Sequence, residues 1–341
     1  MTQTTETTSA TATTETRSMN FIEASHDALE YALASDPSVF LLGEDIHDPI
    51  GGVTKMTKGL STKYGLERVR PTPIAEQAIV GAAVGAALAG MRPVGEIMLM
   101  DFFAVCLDQV TNHAAKLRYM TGGRTNVPIT LRTMVGGGNG TGAQHSQSLE
   151  AWLAHTPGMK VVCASNPLDA KGLLLSSIFD DDPCVVMEMS RVIFHRQKNE
   201  VPLGDYRVPL GKARIARPGS DVTIVSWGRV LNESLLAADA LAEDGVSAEV
   251  IDLRTLVPLD ITTVLESAAK TRRVVVAHAA VEFGGFGAEI ASQVNEELFG
   301  ELLAPVRRVG APFAPTPGGP LEAHYVPDAK RAAETVRELT A

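Results

Sequence analysis

The strongest constraint on this chain is a rhythm: short apolar runs alternate with helical stretches, stop once, and start again. In the first half SVFLLGEDI, VGEIML, VPITLRT, MKVVCAS and PCVVMEM read as strands, with FIEASHDALEYALASDP, FAVCLDQVTNHAAKLRYM and PLDAKGLLLSSIFD as helices around them. Strands that are apolar on both faces and separated by helices predict a parallel sheet covered on both sides, since each parallel connection needs a long crossover. EVPLGDYRVPLGKARIARPGSD then breaks the rhythm with Pro, Gly and charge, and reads as a linker. Beyond it DVTIVSWG, SAEVIDLRT and RRVVVAHA alternate with LNESLLAADALAEDG and DITTVLESAAK. The expected fold class is α/β, with two doubly wound, mostly parallel-sheet domains. A length of 341 residues agrees, because single cores stop growing near ~250 residues. The expected boundaries are a flexible Thr/Ser tail at 1–18, a first domain at 19–203 and a second at 204–341.

A formal charge of −10 argues against a nucleic-acid partner, whose phosphates are bound by clustered Lys and Arg. The sequence has no apolar run of about 18 residues and no basic start leading into an apolar stretch, so neither membrane insertion nor secretion is expected. Cys106, Cys163 and Cys184 lack metal-ligand spacing and are odd in number. They read as reduced, mostly buried thiols of a cytoplasmic protein.

Three segments carry residues that can do chemistry. In TPIAEQAIVGAAVGAALAGMRPVGEIM everything after Pro73 is apolar or small until Arg92, which reads as a helix buried all round, and Glu76 is the one ionisable residue in that stretch. It either meets the helix macrodipole or is a carboxylate in an apolar cleft, able to share a proton with a ligand. In RTMVGGGNGTGAQHSQSLEAWLAHTPG a glycine-rich loop follows a strand and leads to His145, either a proton donor and acceptor or a residue that ties the loop down. His155, further on, reads as packing. DDDPCVV crowds three carboxylates at a helix end, which is either a solvated loop or part of a cation site. GGFGAEI lacks the full G-x-G-x-x-G spacing and reads as tight packing.

Long blocks in a fixed order are more specific than any of these motifs. GEDIHDPIGGVTKMTKGLSTKYGLERVRPTPIAEQAIVGAAVGAALAGMRPVGEIM, DQVTNHAAKLRYMTGG and QHSQSLEAWLAHTPGMKVVCASNPLDAKGLL, followed by VIDLRTLVPLD, GGFGAEI and APTPGGPLEAHYVPDA, resemble the β subunits of thiamine-diphosphate-dependent pyruvate, branched-chain 2-oxo acid and acetoin dehydrogenases. RPVGEIMLMDF, KLRYMTGG and QHSQSLEAWLAHTPG lean toward the acetoin type. The resemblance implies a transketolase-like pyrimidine-binding domain followed by a transketolase C-terminal domain, in an α2β2 assembly. It also implies that a separate α subunit holds the diphosphate and Mg2+ of thiamine diphosphate, while this chain receives the aminopyrimidine. The α-type Gly-Asp-Gly signature with its downstream Asn pair is absent, and GDY at 204–206 does not supply it.

By position, Glu76 matches the family's glutamate that hydrogen-bonds the pyrimidine nitrogen, Phe102 the aromatic packed on that ring, and His145 a histidine near the reacting centre. Glu44 is carried over as a further cofactor-binding residue. Ile129, Ser177, Asp180 and Asp182 match positions whose oxygens hold K+ in some relatives. Two departures stand out: Ala75 where many relatives carry Ser or Thr, and His278-Ala279 where a His-Glu pair is common. The implied activity is that of an oxidoreductase component which decarboxylates a 2-oxo acid or cleaves acetoin, then passes the acyl group to the lipoyl group of a dihydrolipoyl acyltransferase. The alternatives are a non-catalytic subunit that stabilises its α chain, and a nucleotide-binding protein of similar shape.

Overall fold

A computed structural model describes residues 15–340. Its strands are β1 (Thr16–Met19), β2 (Val39–Glu44), β3 (Val69–Thr72), β4 (Arg92–Leu99), β5 (Thr130–Val135), β6 (Lys160–Ala164), β7 (Cys184–Met189), β8 (Asn199–Pro202), β9 (Arg214–Arg217), β10 (Val222–Ser226), β11 (Ala248–Asp252), β12 (Thr255–Val257), β13 (Val274–Val281) and β14 (Arg307–Ala311). One sheet runs β12-β6-β7-β5-β4-β2-β3 and the other β14-β13-β10-β11-β9. In the first sheet only β12 runs antiparallel to its neighbour, and in the second only β9 does. Every strand read from the sequence is present, and the two mostly parallel α/β sheets are those the rhythm predicts.

Helix ends follow local chemistry. Asn20 opens the helix Phe21–Ser35 by accepting from Glu23 N while its own N–H donates to the Glu23 carboxylate, a reciprocal cap. Asn166 and Asp260 cap Pro167–Ile178 and Ile261–Thr271 in the same way from one side.

The tail and the content of the linker differ from expectation. The tail was expected to reach residue 18, but Thr16–Met19 is β1, paired antiparallel with β8; residues 1–14 lie outside the described residues. The expected linker also contains β8 and β9, the latter an edge strand on β11. Short edge strands bury only part of each residue, so they carry little apolar periodicity to read.

The two sheets share a core. Buried residues of the first domain and Trp227, Ile251, Leu256, Val276 and Ile290 of the second form one apolar cluster, while a smaller cluster lies on the far face of the second sheet. The chain also crosses over, since β12 follows β11 of the second sheet yet pairs with β6 of the first.

Polar groups lock this seam. Asp252, fully buried at the end of β11, accepts from Ser165 Oγ at 3.0 Å and from Arg214 at 3.1 Å, while Arg254 pairs with Asp169 at 2.8 Å. Burial, and next the charge of Asp169, pushes the Asp252 carboxyl up to about 6 from a usual 3.8. A carboxyl with a raised folded-state value binds more protons folded than unfolded between those limits, so its contribution falls as pH rises from about 4 to 6 and is level above. Asp252→Asn should remove that fall. Wild-type stability minus that of the variant, from urea unfolding, should drop by about 3 kcal/mol across this window. A difference that stays constant with pH would mean that Asp252 ionises normally.

Candidate active site

Four segments from the carboxyl ends of neighbouring strands build the site. Sheet order places β5, β4, β2 and β3 side by side, and all three pairings are parallel, so their exits lie along one edge. In open α/β sheets this edge is where ligands bind. The glycine loop leaves β5, Asp101 and Phe102 leave β4, Glu44 ends β2, and β3 leads within four residues to the helix Glu76–Leu88. The structure thus gathers Glu44, Glu76, Phe102 and His145, which lie far apart along the chain.

Glu76 is the first residue of its helix and half-buried; Ala75 supplies no side-chain cap. A carboxylate there faces amides that have no partner in the helix. The charge of Glu76 is felt on both sides. Burial, then Asp45, Glu76 and Glu96 in that order, raises the Glu44 carboxyl, and burial followed by Glu76 pushes the Cys106 thiol up to about 12. The helix that Glu76 begins packs against both β2 and the helix Phe103–Asp108, which begins next to Phe102. An acidic strand edge of this kind suits a weakly basic nitrogen heterocycle, which gains a proton where carboxylates crowd.

Phe102 and His145 meet edge to face, with ring centroids 5.5 Å apart and planes at 85°. Asp101 fixes the approach by accepting from the Gln147 side-chain amide at 2.8 Å. His145 itself is exposed, so its ring is open to a ligand arriving over the strand ends.

Below this edge lies a feature that sequence reading missed. Arg132 of β5, fully buried, is bidentate to Glu188 of β7 at 2.8 and 3.0 Å and reaches Glu96 of β4 at 2.9 Å. The signal was present: each is a lone charge inside an apolar strand run, VGEIML, VPITLRT and VVMEM.

Several expectations change. The helix Glu76–Leu88 is not buried all round, since Ala78, Gly81, Ala82, Gly85 and Leu88 are exposed along one face. A small-residue helix reads as core from sequence whether a neighbour in the same chain or in another chain covers it. His155 does not pack inside but caps the helix Glu150–Ala154 and is exposed. His278 is fully buried and stacks on Trp227 with centroids 5.2 Å apart, and burial pushes it down to about 4. Gly285 and Gly287 lie against that ring, where an added Cβ would come within 2.7 Å, so GGFGAEI is tight packing. All three cysteines are free and buried.

The residues matched to a K+ site are gathered around one loop, but its carboxylates already have partners. Lys160 Nζ lies 2.7 Å from both Asp180 oxygens, Arg92 2.7 Å from Asp181 and Arg118 2.5 Å from Asp182. The main-chain oxygens of Ile129 and Asp180 each accept one hydrogen bond, from Cys184 N and Arg92, and keep a second lone pair. The side chains therefore suit a salt-bridge cluster, leaving only main-chain oxygens for a cation. Among the described residues no group of three His, Cys, Asp or Glu side chains is arranged to hold a metal, and no helix is long and apolar enough to cross a membrane.

Comparison with known proteins agrees with this architecture. Residues 17–193 match the family described as the transketolase pyrimidine binding domain, and residues 211–331 match the transketolase C-terminal domain. The β subunit of acetoin:2,6-dichlorophenolindophenol oxidoreductase from Cupriavidus necator is 44% identical, covering 94% of this chain and 97% of its own. The pyruvate dehydrogenase E1 component subunit beta of Bacillus subtilis is 42% identical over 94% and 98%, and the mitochondrial 2-oxoisovalerate dehydrogenase subunit beta of Dictyostelium discoideum is 42% identical over 95% and 87%. A solved structure titled as an inactive β4 tetramer of a split-gene transketolase superposes with a TM-score of 0.75 at 24% identity, covering 95% of this chain and 99% of that one, which shows the shared fold. The chain belongs to the family of β subunits of the thiamine-diphosphate-dependent 2-oxo acid and acetoin dehydrogenases.

Proposed function

We propose that this chain is one half of a catalytic site completed by a separate α subunit in an α2β2 assembly, and that the site decarboxylates a 2-oxo acid or cleaves acetoin. The observation that carries the reading is the convergence of Glu44, Glu76, Phe102 and His145 on one edge of the first sheet. Thiamine diphosphate supplies the nucleophilic carbon of the reaction when bound. Glu76 holds and exchanges a proton with a pyrimidine nitrogen at the start of its helix, Phe102 offers an apolar face to the ring, and Glu44 adds a second carboxyl, raised by burial and by its acidic neighbours. His145 moves protons near the reacting centre or assists transfer of the acyl group to the lipoyl group of a dihydrolipoyl acyltransferase. The diphosphate and Mg2+ belong to the α chain. K+, where bound, rests on the main-chain oxygens of Ile129, Ser177, Asp180 and Asp182. Domain limits near 203, on either side of the transketolase-like halves, and a cytoplasmic location with reduced thiols complete the proposal.

The open helix face supports the partner. Ala78, Gly81, Ala82 and Gly85 let another backbone approach closely, and Leu88, at the far end of the helix that Glu76 begins, is exposed as well, as is Val105. A subunit seated there would close the site from the side that this chain leaves open.

The test is reconstitution. The isolated chain should bind thiamine diphosphate weakly and turn over nothing. Addition of the α chain should restore activity with a dye acceptor on acetoin, pyruvate or a branched 2-oxo acid, and the preferred one identifies the substrate. Robust turnover by the isolated chain would overturn the half-site reading.

A further inference from the structure

The loop that carries His145 is held from the other domain. Glu322, in the segment Gly319–His324 and only 6% exposed, accepts from Gly138 N through one carboxylate oxygen and from Gly140 N through the other, both at 2.8 Å. Nothing larger than glycine fits under it, since a Cβ on Gly137 would lie 2.5 Å from the carboxylate. The same segment grips the loop further along. Thr141 bridges Gly318, Gly319 N donates to Gly140 O at 3.4 Å, and Thr316 Oγ1 donates to Ser146 O at 3.4 Å. Inside the loop, Thr141 Oγ1 donates to His145 O at 3.0 Å, so the clamp runs from Glu322 through Gly140 and Thr141 to the histidine.

This arrangement exceeds what packing requires. Gly136, Gly138, Gly140 and Gly142 all have φ between +72° and +131°, a backbone that many conformers compete to replace. A glycine-rich loop at a sheet edge is mobile unless its amides are anchored, and a buried carboxylate taking two N–H groups makes charge-assisted hydrogen bonds, among the stronger anchors. We infer that Glu322 is a positioning residue: it holds the glycine loop in the one conformation that sets His145 against Phe102, and so couples the second domain to catalysis in the first. This rests on the proposed placement of His145 near the reacting centre.

The sharp variant is Glu322→Gln, which keeps the size but turns an amide NH2 toward one of the two glycine N–H groups, donor against donor. In the complex with its α chain, amide hydrogen exchange of residues 136–147 should quicken by about tenfold, as the loss of one charge-assisted hydrogen bond implies. Turnover should fall by roughly 10–10²-fold in kcat with little change in cofactor affinity, the cost of a reacting group held loosely. Glu322→Gln added to His145→Ala should cost no more than His145→Ala alone, because Glu322 acts through that histidine. Thr316→Val, which releases the far strut without changing size, should move exchange in the same direction by less. Unchanged exchange in both variants, or fully additive losses in the double mutant, would overturn the clamp. If His145→Ala alone keeps full turnover, the role proposed for His145 fails, while the exchange measurement still decides whether Glu322 holds the loop.

Discussion

Glu76→Gln is expected to leave the complex with the α chain assembled and to lower turnover by ~10²–10⁴-fold, the usual weight of one acid–base contact. Two effects of the substitution have to be compared. The carboxylate at the first helical position favours the helix by about 0.3–1 kcal/mol, and Gln gives up that term while keeping the volume and a hydrogen-bonding oxygen. The kinetic loss corresponds to roughly 3–5 kcal/mol of barrier, so catalysis should fail well before folding does. Its neighbours should report the change as well, since Glu44 and Cys106 are both held up in part by the Glu76 charge and should titrate lower in the variant. The direct readout is hydrogen–deuterium exchange at the reactive carbon of bound thiamine diphosphate, which should slow by a factor comparable to turnover. Exchange at the wild-type rate would reduce Glu76 to a helix-start residue.

Arg132→Met should produce the largest loss of stability. The guanidinium is fully buried between Glu96 and Glu188, so removing it leaves two enclosed carboxylates facing an apolar side chain. Breaking a buried ion pair from one side typically costs about 3–5 kcal/mol, more than most cavity-forming changes, because the charge left behind has no partner. Burial already raises Glu188 with Arg132 in place, and without Arg132 its carboxyl should be held still higher. Its protonation at low pH relieves the penalty, so destabilisation measured by urea unfolding should be larger at pH 8 than at pH 5. Replacing all three by apolar or amide side chains should recover much of the loss, as no charge is then left enclosed. Equal stability of Arg132→Met and wild type at pH 8 would show that the carboxylates already reach solvent.

The sequence by itself determined the architecture of the two halves and marked several candidates for the site. Strand and helix periods are local, so alternating apolar runs and helices were enough to announce two mostly parallel sheets. Glu76 and His145 stood out for local reasons too, one as a lone acid in a small-residue helix, the other at the end of a glycine loop. Phe102, Glu44 and the K+ positions came only through resemblance, since nothing in their immediate neighbourhood marks them. What no local reading could decide was adjacency. Chain order is β2, β3, β4, β5, but spatial order is β5-β4-β2-β3, and that permutation is what sets β4 beside β2, so that Phe102 and Glu44 leave neighbouring strands. Strand register likewise turned three lone charges into one buried ion pair network, placing Arg132 directly across from Glu96. The clamp from Glu322 joins residues 184 and 182 positions apart, and the antiparallel return of β12 to the first sheet is of the same kind. Such contacts are selected by the packing of the whole chain: closing a long loop costs entropy that only a shared core can offset. The exposed face of the helix Glu76–Leu88 marks the limit of local reading, because its apolar small residues read as buried while no other part of the described chain covers them.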